Sequence, residues 1–193
     1  MGADRMHNGS LVAERTKQHG ARALRILDAY WHSLAARGGV PRRAAIDPGA
    51  IQDALEYAFL VDRVGPHHAR VRITGGAVNG ILGADLVGMP LSVFLTPEAR
   101  VEFDDVLARC FDQSAMLSLT LVKTDAVAQM HLYPLLDHKG RIAHLLGGIV
   151  AEGGAASGAR RFDLAETQEH PVNCGPVAPH RNSGGLRLVI DNT

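Results

Sequence analysis

Apolar residues recur at helical spacing in two stretches of the chain. In the first, positions three and four residues apart form the stripe of an amphipathic helix, which ends at Gly38 and Gly39. In the second, TPEARVEFDDVLARCFDQS, Thr96 and Pro97 are typical of a helix start and predict the most regular helix of the chain. A shorter helix is predicted from 48 to about 57, with Asp47 as its N-cap. The first stripe consists of Leu24, Leu27, Trp31 and Leu34.

Alternating apolar and polar residues predict strands elsewhere. AFLVDRVG and ARVRITG are two β-rich runs joined by a short turn, so they predict a hairpin. In the second run, we expect Val71 and Ile73 to face one way and Arg70 and Arg72 to face the other. Three later runs, at 116–124, 127–137 and 141–151, predict three more strands. This order favours an α+β domain with helices on one face of an antiparallel sheet.

The pattern divides the chain into four parts. Residues 1–18 are polar and without period, which predicts a flexible N-terminus. Residues 19–57 form an N-terminal helical cap, and residues 58–152 contain the predicted sheet and long helix of the core. Residues 153–193 are rich in Gly, Pro, Ser and Asn, and predict a largely irregular tail in which only LRLVI, at 186–190, favours a docked strand.

Charge and cysteine content exclude several classes of protein. The 20 basic and 20 acidic residues leave no net charge, so no long-range field attracts a nucleic acid or an anionic membrane. Cys110 and Cys174 form no C-x-x-C pair and therefore no disulfide framework. No apolar run reaches the roughly 18 residues that cross a bilayer, and the N-terminus lacks a signal core. We expect a cytoplasmic protein that binds neither nucleic acid nor membrane.

Patterns typical of catalysis are missing from the sequence. No Ser or Cys lies in a Gly-x-Ser-x-Gly turn, and TGGAVNG lacks the spacing of a phosphate loop. Asp62 and His131 are candidates for acid–base chemistry, but nothing in the sequence places them together. His170, Cys174 and His180 match no compact zinc spacing. We expect neither an enzyme nor a metal site.

Motifs at the joints between the predicted elements resemble those of PAS domains. The leader YWHSLAARGGVPRRAAIDP is similar to an aromatic-helix-Pro-Arg-Asp-Pro entry, and ILGADLVGMPL resembles a Gly-x-Asp-Leu-x-Gly turn. AFLVDRV and RVRITGG resemble the first two strands, and LYPLLDHKGRIAHLLGGIV resembles the last hairpin. The combination covers about residues 28–151 and is similar, more narrowly, to the PAS_5 group of single-domain PAS proteins frequent in alphaproteobacteria.

This resemblance implies a PAS fold with a ligand cavity. Its sheet would be five-stranded and antiparallel, with flanking helices, an N-terminal cap helix and a small apolar cavity in which His131 or Tyr133 orients a ligand. GILGADLVGMPL has no Cys where flavin-binding members carry one, and the long helix has no His to ligate haem, so no cofactor is assigned. The apolar cavity candidates are Ile73, Leu82, Phe94, Leu107, Phe111, Met130 and Leu146.

The resemblance also implies a function without catalysis. We expect a sensory or adaptor domain that binds a small molecule and acts through contact with an unknown signalling protein. A ligand-free dimerisation or localisation module and a small enzyme are the alternatives. The stripe of the cap helix either covers the sheet of its own chain or pairs with a second copy, and we expect a homodimer.

Overall fold

One antiparallel sheet runs through the part of the chain that the computed structural model describes, which is residues 3–153 and 161–172, with side chains from Lys17 onward. Its strands follow the order β2-β1-β5-β4-β3-β6 across the sheet. They are β1 (Ala58–Arg63), β2 (Ala69–Thr74), β3 (Ala115–Lys123), β4 (Ala126–Leu136), β5 (Ile142–Gly153) and β6 (Asp163–Pro171).

Helices precede the sheet and connect its two halves. Asp47 accepts a hydrogen bond from the Gly49 N–H, as its predicted capping role requires, but the helix that follows is a 3₁₀ helix, here called the wall helix. Within the described residues, no helix is long and apolar enough to cross a membrane. The helices are α1 (Ala3–Ala35), the wall helix (Pro48–Tyr57), α2 (Gly76–Leu82) and α3 (Ala99–Gln113), with short 3₁₀ turns at Arg43–Ala45 and Leu91–Phe94.

The two faces of the sheet bury different apolar side chains. Alternation along β3 places Leu117, Leu119 and Leu121 on the inner face, where α3 packs against β3 and α2 packs against β5. On the outer face, α1 packs with Leu27 and Trp31 in a separate cluster. The predicted α+β fold is confirmed, and its antiparallel sheet has six strands in place of five.

The first helix begins much earlier than predicted. Residues 1–18 are expected to be flexible, yet α1 starts at Ala3 and continues to Ala35. Extending an existing helix costs little once its first turn has formed, so a polar segment without an apolar stripe can still be helical. Two contacts hold the middle of the helix against β5: Lys17 pairs with Glu152 at 3.0 Å, and Gly20 packs against the side chain of Val150.

The predicted irregular tail contributes an edge strand. Phe162 is fully buried in the inner core, and its N–H and C=O bond to the Phe94 carbonyl and the Thr96 N–H, which fixes the start of β6. β6 then pairs with β3 along its whole length. The residues around β6 are rich in Gly and Pro, so the average composition of this region predicts irregular structure. Such an average does not register a single buried aromatic residue. LRLVI, at 186–190, lies outside the described residues.

A β-bulge in β2 overturns the predicted direction of Ile73. Leu60 pairs with Ile73 and the next residue, Val61, pairs with Val71, so Arg72 is an extra residue in the ladder. An extra residue breaks the two-residue period, and Ile73 therefore shares the outer face with Leu60. Its side chain is 59% exposed, while Val71 is 1% exposed in the inner core.

Candidate functional site

Five of the predicted cavity residues lie together on the inner face. They belong to one packed cluster between the sheet, α2 and α3, and each is at most 9% exposed. Phe59 and Phe94 are in ring contact in the same cluster, with centroids 6.5 Å apart. Side chains packed in this way form the hydrophobic core of the domain. The five are Leu82, Phe94, Leu107, Phe111 and Met130.

The other two apolar candidates, Ile73 and Leu146, line an open groove on the outer face. Strands β1, β2 and β5 form its floor and the wall helix forms its side. The volume of this outer groove is about 500 Å³, within the range of small-molecule sites. Its main apolar side chains are Ile46, Ile51, Leu55, Leu60, Ile73 and Leu146.

A glycine at the end of β2 allows the wall helix to approach the floor of the groove. A side chain at Gly75 would collide with the backbone carbonyls of Leu55 and Glu56. The Gly75 N–H also donates to the Ala58 carbonyl at 2.9 Å, which holds the end of β2 against the start of β1. The width of the groove therefore depends on a position that has no Cβ.

Charged side chains lie next to the groove on the outer face. Asp62 accepts hydrogen bonds from Arg72 Nε at 2.6 Å and pairs with His144 Nδ1 at 2.7 Å. Burial alone would raise the pKa of Asp62, but the hydrogen bonds to His144 and Arg72 outweigh it and lower this pKa below its ordinary value. His144 also lines a polar recess of about 350 Å³. Arg43 lines both the recess and the outer groove.

His131 and Tyr133 lie beneath α1 and not in the groove. The Tyr133 hydroxyl donates to Asp28 of α1 at 3.3 Å and lies 3.2 Å from His131 Nδ1. Burial lowers the pKa of His131, an effect that nearby His170 adds to and Asp28 opposes. Burial also raises the pKa of Tyr133 far above its ordinary value, so this phenol stays protonated. The two residues connect the sheet to α1, which is the cap helix.

The apolar stripe of α1 covers the sheet of its own chain. Leu24, Leu27 and Trp31 are buried, and Leu34 is half-buried. Trp31 stacks on Tyr133, with ring centroids 5.9 Å apart. A second copy cannot contact the three buried residues while α1 stays in this position.

Polar contacts join the wall helix to α1. The Tyr30 hydroxyl accepts a hydrogen bond from the Asp47 N–H at 2.7 Å and donates to the Ala45 carbonyl at 3.3 Å. Arg22 of α1 pairs with Asp53 of the wall helix at 3.0 Å. The wall helix and the residues just before it are therefore in direct polar contact with α1, the cap helix.

The candidates for other chemistry are separated. Asp62 pairs with His144 and Arg72, whereas His131 contacts Tyr133, so the two acid–base candidates are not paired with each other. Among the side chains that the structure describes, no group of three His, Cys, Asp or Glu residues is suited to hold a metal ion. His170 lies on β6, and Cys174 and His180 lie outside the described residues.

The one described cysteine is inert. Burial raises the pKa of the Cys110 thiol, and its Sγ donates to the Ala115 carbonyl at 3.0 Å. A thiol held in its protonated form is a poor nucleophile and a poor metal ligand.

Sequence reasoning missed half of the groove. Arg43, Ile46, Ile51 and Leu55 come from the N-terminal helical cap, in which the sequence predicts only the stripe of the first helix as a functional surface. The signal that was present is the apolar spacing of Ile51 and Leu55 in a segment too short to bury both. Leu55 stays 40% exposed.

Comparison with known proteins identifies a family and several solved structures with a likeness to this chain. The model of the PAS_5 family, described as a PAS domain, matches residues 19–150. A solved structure of an RNA-binding Light-Oxygen-Voltage receptor is 18% identical, with a TM-score of 0.41 over 58% of this chain. The chain spans only 36% of that receptor. No curated protein matches the chain.

Proposed function

The chain belongs to the PAS_5 family of PAS domains, and from this membership we propose that it is a cytoplasmic sensory adaptor whose ligand site is the outer groove. A small apolar molecule binds between the wall helix and the floor of β1, β2 and β5. Its presence changes the position of the wall helix and of α1, and a partner protein reads that change. The free, buried thiol of Cys110 is compatible with a reducing cytoplasm.

The observation that carries this proposal is the exposed apolar lining of the groove. Ile73 is 59% exposed and Leu55 is 40% exposed, on opposite sides of one opening of about 500 Å³. Adjacent apolar side chains left in water favour an occupant that covers them. The inner-face candidates offer less, because all five are already packed in the core.

The route of the signal follows from shared contacts. Ile51 lines the groove and also belongs to the cluster that contains Leu27 and Trp31 of α1. The Tyr30 and Arg22 contacts join the same two helices at their polar edges. A ligand shifts the equilibrium between two arrangements of these helices only by its differential affinity for them. The groove must therefore differ between the two arrangements.

The test is native mass spectrometry of protein purified from its native host. Wild type should carry a stoichiometric extra mass, and Ile73→Trp, which fills the groove, should lose it. Val101→Trp is the matched control, because Val101 is 73% exposed on α3 and does not line the groove. A bare wild-type chain, or a mass retained in Ile73→Trp, would contradict the proposed site.

The fluorescence of Trp31 can report whether ligand release affects α1. Trp31 is the one tryptophan of the sequence and lies on α1 against Tyr133. Release of the bound molecule should change its emission, since the indole is 1% exposed and senses any movement of α1. Unchanged emission after complete release would contradict a signal that passes through the cap helix.

The close packing of the inner face favours a second candidate function. The inner face is packed with the side chains of the domain itself. This packing suits a ligand-free module that pairs with a second copy or with another protein. Analytical ultracentrifugation of the bare chain distinguishes the two. A stable dimer without any bound mass would support this module and replace the sensor.

A further inference from the structure

We infer that the occupant of the outer groove is an apolar molecule with a single carboxylate, and that Arg43 binds this carboxylate; the inference rests on the proposed function of the groove. Arg43 lies where the groove meets the polar recess and lines both. Its side chain is exposed and has no hydrogen-bond or ion-pair partner among the described residues.

The neighbouring charges already have partners. Arg42 donates to the Asp137 carbonyl at 2.8 Å, and the Asp137 carboxylate pairs with Arg141 at 3.0 Å. Arg72 is engaged by Asp62. Arg43 is thus the cation at this end of the groove that keeps its donors available to a ligand.

An acidic residue, Glu56, lines the groove at the end away from the recess. Glu56 lies in the last turn of the wall helix, just before β1, and its backbone carbonyl is close to Gly75. The recess lies beside His144, which pairs with Asp62 of β1. From Ala58 to Asp62 the strand advances about 13 Å. An acidic group is therefore repelled at the Glu56 end and attracted at the Arg43 end, with the apolar side chains between them.

The donor set fits a carboxylate better than a phosphate. One planar guanidinium matches the two oxygens of a carboxylate in a bidentate pair. A phosphate carries more charge and more acceptor oxygens, and Arg42, the adjacent cation, is already committed to Asp137. The groove volume of about 500 Å³ leaves room for an aliphatic or aromatic body of ordinary ligand size.

The experiment compares decanoate with its neutral amide, decanamide, by NMR titration of the ¹⁵N-labelled protein. The backbone amides of Ile73, Thr74 and Gly75 report binding in the groove. Wild type should bind decanoate about tenfold more tightly than decanamide, the ratio expected for one charge-assisted hydrogen-bonded contact. Arg43→Gln should weaken decanoate binding until the two probes bind with the same affinity.

Arg37→Gln is the matched control, because it makes the same change of charge at an exposed arginine that does not line the groove. An equal loss in both variants would assign the preference to net charge and overturn the role of Arg43. Equal binding of the two probes by wild type would overturn the carboxylate and leave the groove as a ligand site. If neither probe shifts the groove signals, the carboxylate class is wrong, and native mass spectrometry decides independently whether the groove holds a ligand.

Discussion

The indole Nε1 of Trp31 donates a hydrogen bond of 3.0 Å to the backbone carbonyl of Pro134, which joins the cap helix to β4. The bond is buried beneath α1, beside the stack of Trp31 on Tyr133. It fixes both the height and the rotation of α1 on the sheet. The cap helix is therefore held by a directional contact as well as by apolar packing.

Loss of this hydrogen bond should destabilise the domain measurably. Trp31→Phe keeps an aromatic ring but removes the donor, and we expect a cost of about 1–2 kcal/mol in the free energy of unfolding. Trp31→Ala also removes the packing and should cost about 3–5 kcal/mol. Urea denaturation followed by circular dichroism measures both. Arg25→Ala, at an exposed position of α1, is the control and should change little. A Phe variant as stable as wild type would show that the bond adds nothing.

Adjacent glycines should respond in opposite ways to alanine. At Gly75 the new Cβ collides with backbone atoms of Leu55 and Glu56, so the wall helix must move and the domain should lose about 2 kcal/mol or more. At Gly76 no atom lies within 4 Å of the new Cβ, and the residue begins α2, so alanine should stabilise by about 0.5–1 kcal/mol. Thermal denaturation of the two variants tests this, and equal midpoints would contradict the close approach at Gly75.

Acid should remove the contribution of Asp62 to stability. The folded pKa of this carboxyl lies below its ordinary value of 3.8, because hydrogen bonds to His144 and Arg72 outweigh the effect of burial. Its stabilising effect is therefore present above pH 3.8 and is lost as pH falls through the folded pKa. Asp62→Asn should be less stable than wild type at neutral pH, and the difference should shrink in acid. A difference that does not change with pH would show that charge is not its cause.

His131 should titrate below its ordinary pKa of 6.5. Burial beneath α1 disfavours the charged ring and His170 adds to the effect, while Asp28 opposes it. The folded state therefore resists protonation, and wild type should lose stability as pH falls below 6.5, where the unfolded chain takes up the proton. NMR titration of the His131 ring gives the pKa directly. His131→Gln, which cannot take up the proton, should lose less stability in acid than wild type. A midpoint at or above 6.5 would mean that Asp28 outweighs burial, and the variant and wild type should then lose stability in acid equally.

The tail should prove to be part of the core. Phe162→Ala removes a fully buried ring from the inner cluster and should cost about 3–5 kcal/mol. Arg161→Ala, at the exposed position before it, should have little effect. Chemical denaturation of the two variants makes the comparison. If Phe162→Ala were as stable as Arg161→Ala, β6 would be an appendage and not a structural strand.

Periodicity predicted the parts of the fold that follow a single regular rule. Leu117, Leu119 and Leu121 alternate in sequence, and they share one face because β3 is regular. Leu24, Leu27 and Trp31 recur at helical spacing, and all three are buried between α1 and the sheet. The order of the predicted elements came from the same pattern, and the motifs at their joints carried the resemblance to PAS domains. In each case the information lies within a few residues of the position it describes.

The groove and the last strand depend on information that is not local. Ile73 faces outward because of one extra residue in β2, and no spacing in the sequence reveals a bulge. Phe162 is an anchor because Phe94 and Thr96, far away in the chain, bond to its backbone. The groove exists because Gly75 admits the wall helix, which is a close approach between separate segments. Such features require three-dimensional coordinates.

The bulge at Arg72 has a further consequence for how this surface can change over evolution. Because Val71 and Ile73 pair with consecutive residues of β1, loss of the codon for Arg72 would leave both with the faces they have now. Gain or loss of that single codon therefore adds or removes a positive charge next to Asp62 without shifting the rest of the strand. Insertions elsewhere in a strand reverse every side chain beyond them. Related chains can thus alter the polarity of this face by an insertion or deletion that the fold tolerates.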